Sequence, residues 1–205
     1  IALSRRQGFV PSELIRCADI ALYQAKSEGK NTWCYFEAHM NDQIQTRRQM
    51  ESDLRGALKN DEFILHYQPR YTVDGKHIVS VEALVRWQHP TKGLLGPDVF
   101  IGLAEQTDLI VALGRWVLRE ACETALEWPS DILLSVNLSP AQFALSDVVE
   151  DVREALIQTR FPASRLELEI TENVMLVDTD GALATMNALK QLGVRLNMDD
   201  FGTGY

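Results

Sequence analysis

An α/β fold built from βαβ units and curled into a β/α barrel is what this 205-residue sequence predicts. Three observations carry the expectation. Short stretches of apolar/polar alternation, the pattern of strands, recur between amphipathic helical stretches. Strand and helix together repeat at roughly 30-residue intervals, the length of a parallel crossover unit. Four strands also set one polar side chain each (Glu82, Asn137, Glu169 and Asp199) near the C-terminal end of their polar face. In a β/α barrel that face points inward and gathers at the carboxyl end of the strands, while the apolar face meets the helices. A doubly wound open sheet would give the same units but would bury these acids beneath helices without partners.

The elements follow in order. Residues 1–36 hold a helix capped by Ser12, with Leu14, Ala18, Ala21, Leu22 and Ala25 as its apolar positions and Gly29 closing it. A short aromatic strand, Thr32 to Phe36, comes next. So small a unit cannot build its own core, and it reads as the tail of a preceding domain. Residues 37–60 are polar and helical in pattern, a linker helix with Met50, Leu54, Ala57 and Leu58 as its stripe. A new domain begins near Asp61. Its first strand alternates Phe63, Leu65 and Tyr67 with Ile64, His66 and Gln68 and ends at Pro69. After a turn at Asp74-Gly75, a second strand runs from Ile78 to Trp87, with Ser80, Glu82, Leu84 and Arg86 on one face. Polar loop residues lead through Gly96 to helices near 97–106 and 110–128. A third strand spans Ile132 to Ser139, then a helix capped by Asp147. The fourth strand is Leu166 to Thr171, followed by a helix through Leu183, Met186 and Leu189. The fifth strand, Val194 to Asp199, runs into Asp200 and a glycine-rich turn.

Composition narrows the chemistry. With 20 basic and 29 acidic residues the net charge is −9, and no basic run exceeds the pair Arg47-Arg48. A nucleic-acid polymer is therefore not an expected partner, since such affinity rests on phosphate neutralisation. An anionic small molecule can bind only if cations offset the acids around it. The 3 cysteines lack CxxC spacing and read as reduced thiols of a cytoplasmic domain, not a zinc site. No window reaches the ~20 apolar residues of a membrane span. Ile1 and Tyr205 both look like cuts through a longer protein, so a membrane tether elsewhere in it stays open.

Each polar residue has a plain explanation when taken singly. Glu82 could pair with Arg86 within the barrel, Asn137 could satisfy a loop carbonyl, and Glu167 or Glu172 could face water. An Asp-Asp before glycine is most often a solvated turn. Jointly, four strands aim oxygen atoms at one mouth. Carboxylates plus an amide, without His or Cys, suit a hard cation such as Mg²⁺ or Mn²⁺. Adjacent Asp199 and Asp200 would let one carboxylate bridge two ions while its neighbour holds the second. Two such ions are a recurring device for phosphodiester cleavage.

Two resemblances sharpen this. Ala18-Asp19-Ile20-Ala21-Leu22-Tyr23-Gln24-Ala25-Lys26, with Gly29-Lys30-Asn31, resembles the closing helix and turn of a GGDEF (diguanylate cyclase-like) domain, whose signature loop would lie upstream. Residues 61–205 resemble the first part of an EAL domain, the cyclic di-GMP phosphodiesterase family. The motifs are Tyr67-Gln68-Pro69; Glu82-Ala83-Leu84-Val85-Arg86-Trp87 followed by His89-Pro90; Val136-Asn137-Leu138-Ser139-Pro140; Glu169-Ile170-Thr171-Glu172-Asn173; and Asp199-Asp200-Phe201-Gly202-Thr203-Gly204-Tyr205.

The resemblance implies a (β/α)8 TIM-like barrel with an antiparallel first strand, of which only the N-terminal portion is present. It implies hydrolysis of cyclic di-GMP to linear pGpG with two Mg²⁺ or Mn²⁺ ions. Glu82, Asn137, Glu169 and Asp199 resemble the metal ligands, with Asp199 bridging and Asp200 on the second ion. Gln68 and Arg86 resemble substrate contacts, and Glu172 the acid that holds the loop after Asp200. Cyclic di-GMP, an upstream GGDEF domain and an EAL–EAL homodimer are the implied partners. Three positions depart from the family's usual pattern, none of them a ligand: Arg70, Gly102 and Asp108. Residues 61–205 fall short of the ~250 of a whole barrel. The family's lysine near the attacking water, a further metal-binding Glu and a late Gln should lie beyond Tyr205, so this chain alone is expected to be inactive. A catalytically dead module acting as a cyclic di-GMP receptor, or a pure interaction scaffold, are the competing readings.

Overall fold

The computed structural model describes residues 1–3, 10–27, 31–171, 174 and 179–199, and divides into two compact units, 1–53 and 54–205. The boundary lies inside the helix read as a linker. No helix among the described residues is long and apolar enough to cross a membrane.

In the first unit, helix α1 (Pro11–Ser27) starts at Pro11, so Ser12 lies inside it and does not cap it. Proline suits this place, because the N–H it lacks would be unpaired in a first turn anyway. Cys17, Ala21 and Ala25 form its buried stripe. The aromatic segment 32–36 is not a regular strand. It is extended, and Phe36 N–H donates to Ile1 O while the amino group of Ile1 donates to Cys34 O. Two such bonds to a single residue, Ile1, do not make a ladder. Helix α2 (His39–Ala57) follows, tied to α1 where Arg16 Nη1 donates to Asn41 Oδ1 at 2.9 Å. Gly29 lies outside the described residues.

The second unit is built on a mixed sheet in the order β1-β2-β4-β5-β6. Its strands are β1 (Phe63–Tyr71), β2 (Ile78–His89), β4 (Leu133–Leu138), β5 (Leu166–Thr171) and β6 (Arg195–Asp199). Strand β1 runs antiparallel to β2, and every later pair is parallel. β1 continues two residues past Pro69, which sits where an outer strand can do without an N–H donor. A short strand, β3 (Gly93–Leu95), pairs with the end of β2 where a polar loop was expected. Among the described residues the sheet is open, with β1 and β6 at its edges: an arc of the expected barrel.

One sheet face is apolar and covered by helices. Leu134, Val136, Leu138, Leu166, Leu168 and Ile170 are all buried there. Helices α3 (Pro97–Gln106) and α4 (Leu109–Ala125) cover β2 and β4; α5 (Pro140–Leu145), α6 (Val148–Thr159) and α7 (Thr179–Gln191) complete the layer. On α4 the buried residues Ile110, Leu113, Val117, Ala121 and Ala125 keep helical spacing. Phe63, Trp87 and Phe100 interlock between β1, β2 and α3, with Trp87 Nε1 donating to Glu62 Oε2 at 2.9 Å. Asp147 caps α6 as expected, its Oδ1 accepting from Glu150 N–H at 3.1 Å. Arg165 closes the far end by donating to the carbonyls of Ala125, Pro129 and Ile132, which lie at and beyond the C-terminus of α4. The cysteines are unpaired, and burial pushes the Cys122 thiol up to about 12, which keeps it neutral.

Between α3 and α4 the chain turns at Asp108, whose φ is +59°. This is the left-handed region that glycine adopts freely and other residues adopt at a cost of about 1–2 kcal/mol. Asp108→Gly is therefore expected to stabilise the protein by up to about 1 kcal/mol, the relieved strain being partly offset by added freedom in the unfolded chain. Urea unfolding measures this, and a loss of stability would contradict it.

Candidate functional site

The polar sheet face carries the site. Register places Gln68 opposite Glu82, Glu82 opposite Ser135, and Ser135 opposite Glu167. One step further along, Asn137 lies opposite Glu169, which lies opposite Asn197; beyond them Thr171 faces Asp199. Cross-strand partners share a face, so alternation alone aligns these residues.

Side chains connect them. Asn137 Nδ2 donates to Glu82 Oε1 at 2.7 Å, a bond that does not use the Asn137 Oδ1. Glu82 Oε2 accepts from Arg70 Nη2 at 2.9 Å. The other terminal nitrogen of Arg70 makes an ion pair with Glu169 Oε1 and stands 3.8 Å from Glu167 Oε1. Ser135 Oγ lies 2.5 Å from Glu169 Oε1 and 3.1 Å from Glu167 Oε1 and can donate to either. Glu169 is 1% exposed, and its Oε2 is buried without a hydrogen-bond partner. The bonds to Glu169, and then to Glu82, raise the pKa of Arg70 above its ordinary value, against the lesser pull of burial.

Three of the predicted ligands, Glu82, Asn137 and Glu169, thus converge on one patch. Asp199 ends β6 beside Thr171 in register, but its side chain, Glu172 and Asp200 lie outside the described residues. Gln68 is exposed opposite Glu82. Arg86 does not reach Glu82: its Nη1 donates to Val85 O at 2.8 Å, and Arg70 takes the place beside the carboxylate. Donor chemistry fits a hard divalent cation, with oxygen atoms only and one buried carboxylate oxygen unsatisfied. Yet among the described residues no three His, Cys, Asp or Glu side chains close on a single metal position. The Arg70 guanidinium stands between the two carboxylates instead.

The segment after Asn137 is fixed by a network that the sequence reading missed. Ser139 caps α5 in a capping box: its hydroxyl accepts from Ala141 N–H, and Gln142 Oε1 accepts from Ser139 N–H at 3.1 Å. The same hydroxyl donates to Glu105 Oε1 on α3 at 2.6 Å. Ser139-Pro140-Ala141-Gln142 is itself the sequence signature of such a box. Gln142 is 2% exposed and fits only because residue 114 on α4 is glycine; a Cβ there would overlap its amide, with Cδ only 2.8 Å away.

Comparison with known proteins gives the family. The EAL-domain family model matches residues 51–205, and the chain belongs to the EAL-domain family. It is 43% identical over 209 residues to the bifunctional diguanylate cyclase/cyclic di-GMP phosphodiesterase MucR of Pseudomonas aeruginosa, covering 100% of this chain and 30% of that protein. It is 40% identical to the cyclic di-GMP phosphodiesterase NbdA of the same species, covering 100% of this chain and 27% of that one. Among solved structures, that of PaMucR phosphodiesterase in complex with c-di-GMP superposes with a TM-score of 0.73 at 43% identity, over 77% of this chain and 65% of that one. The chain spans under a third of the length of these curated relatives.

Gly114→Ala should force the Gln142 amide out of its place and break the bond to Ser139 N–H. Overpacking of a buried contact costs about 1–3 kcal/mol. A chemical denaturation midpoint unchanged from wild type would contradict this.

Proposed function

We propose that the intact protein is a cyclic di-GMP phosphodiesterase that opens one phosphodiester bond to give linear pGpG, using Mg²⁺ or Mn²⁺ held by Glu82, Asn137, Glu169, Asp199 and Asp200. One observation carries the reading: Glu82, Asn137 and Glu169, from three strands, meet on one sheet face with a buried carboxylate oxygen unsatisfied. The relatives' names and the bound c-di-GMP of the PaMucR structure supply the substrate class.

When bound, the divalent ions supply Lewis-acid stabilisation of phosphoryl charge and a water acidic enough to attack. The chain's own residues do the rest. Glu82 and Glu169 provide fixed negative charge, and Ser135 orients the Glu169 carboxylate through its hydroxyl. Asn137 is set by the capped turn that follows it, so its amide is presented without a reorganisation cost. Arg86 is the substrate-phosphate contact. Its fork suits phosphate, and it must exchange the Val85 carbonyl for the ligand. Gln68, across from Glu82, borders the same face. Glu172 holds the loop that follows Asp200. Residues 1–36 are the closing part of a GGDEF-like domain in the same polypeptide, a reading supported by the bifunctional name of a relative that matches over the whole chain.

A receptor that binds cyclic di-GMP without cleaving it is the second reading, favoured by the guanidinium lodged between Glu82 and Glu169. Incubation of the intact protein with cyclic di-GMP and Mn²⁺, followed by chromatography, separates the two. Formation of pGpG is expected, and Glu82→Ala should slow it about 10²–10³-fold, the scale for losing one transition-state charge stabiliser. Binding without turnover would establish the receptor instead. Full activity of Glu82→Ala would remove the site assignment.

A further inference from the structure

We infer that Arg70 is an internal stand-in for the divalent cation: its guanidinium holds Glu82 and Glu169 in place while the site is metal-free, and it must withdraw before an ion can enter. The inference rests on the metal reading of Glu82, Asn137 and Glu169 given above.

Position comes first. Arg70 bridges two carboxylates from non-adjacent strands, Glu82 on β2 and Glu169 on β5, and approaches a third, Glu167. It belongs to β1, where its Cα partner is Ser80 and not Glu82. The ladder slips between Arg70 and Tyr71, an irregularity of the kind that re-aims a side chain near a functional site.

Competition follows from charge and from geometry. A planar guanidinium satisfies two carboxylates by spanning them, each on a different edge of the fork. A metal ion needs the same oxygens drawn on to one centre. Arg70 therefore holds the ligands apart in the arrangement that suits itself, and an entering cation would also be repelled by the positive charge. The guanidinium does not satisfy the site fully, because Glu169 Oε2 stays buried without a partner. That unsatisfied oxygen favours a replacement able to use it. Departure is open to Arg70, whose side chain is 35% exposed while that of Glu169 is 0% exposed. Metal binding and Arg70 release are then one coupled equilibrium, and the energy of the clamp lowers the apparent metal affinity.

The test is Mn²⁺ titration of the intact protein, with free Mn²⁺ read by electron paramagnetic resonance, for wild type, Arg70→Lys and Arg70→Met. Arg70→Met should bind Mn²⁺ at least about tenfold more tightly than wild type. Its metal-free melting temperature should fall and be restored by saturating Mn²⁺, with Arg70→Lys intermediate in both. Unchanged or weaker Mn²⁺ binding by Arg70→Met, with wild type binding normally, would overturn the inference and leave the metal reading standing. Absence of Mn²⁺ binding in every protein would overturn the metal reading and the inference with it. If Arg70→Met does not fold, phenylglyoxal modification of wild type at Arg70, followed by peptide mass spectrometry, decides. Modification should be slow without metal and several-fold faster with saturating Mg²⁺, and equal rates would overturn the inference.

Discussion

Glu82 on β2 and Glu167 and Glu169 on β5 rise from two strands on the same face of one sheet, and carboxylates so placed repel unless a cation lies among them. Two like charges about 4 Å apart repel by about 4 kcal/mol at an effective dielectric near 20. In this protein the Arg70 guanidinium answers that repulsion. Parallel pairing of β2, β4 and β5 sets the acids in register, and the antiparallel β1 brings the compensating charge to the same face. The sheet thus gathers carboxylates on one face and sets a guanidinium among them.

The remaining architecture keeps that face open and the opposite face dry. Apolar residues of β4 and β5 are sealed by helices, and the Phe63–Trp87–Phe100 cluster anchors β1 and β2 to α3. Behind Asn137 the capping box of α5 and the close approach of Gln142 to Gly114 fix where the amide can point. Membership of the EAL-domain family gives this arrangement its chemical context.

Much of this was legible in the sequence. Period-two alternation located the main strands of the sheet to within a residue or two, and amphipathic spacing located α3, α4, α6 and α7, because burial of one face dictates both patterns. Glu82, Asn137 and Glu169 could be read as a group from the polar faces of their strands, although Glu82 lies inside β2 and not at its end. What failed was local or conformational. β3 and α5 are too short to show a period, although Ser139 and Gln142 carried a capping signal. The segment 32–36 has aromatic strand propensity, but among the described residues it has no partner strand long enough to form a ladder. Arg70 was legible only as a departure from a family pattern. Its role depends on an irregular register at the end of β1 that no alternation rule reveals. Arg86, the nearer basic residue in sequence to Glu82, turns to its own backbone instead.

The inference turns on Arg70 and Glu169 forming a coupled charge pair, buried at the carboxylate and part-exposed at the guanidinium, that holds the metal-free site together. A double-mutant cycle in the intact protein, Arg70→Met with Glu169→Gln, unfolded by urea in the presence of a chelator, measures that coupling directly. The account predicts a coupling of about 2 kcal/mol or more, with Arg70→Met costing about 3 kcal/mol because it leaves the buried Glu169 charge uncompensated, and Glu169→Gln costing less because Arg70 keeps solvent and Glu82. Additive single and double changes, with coupling within about 0.5 kcal/mol of zero, would contradict it.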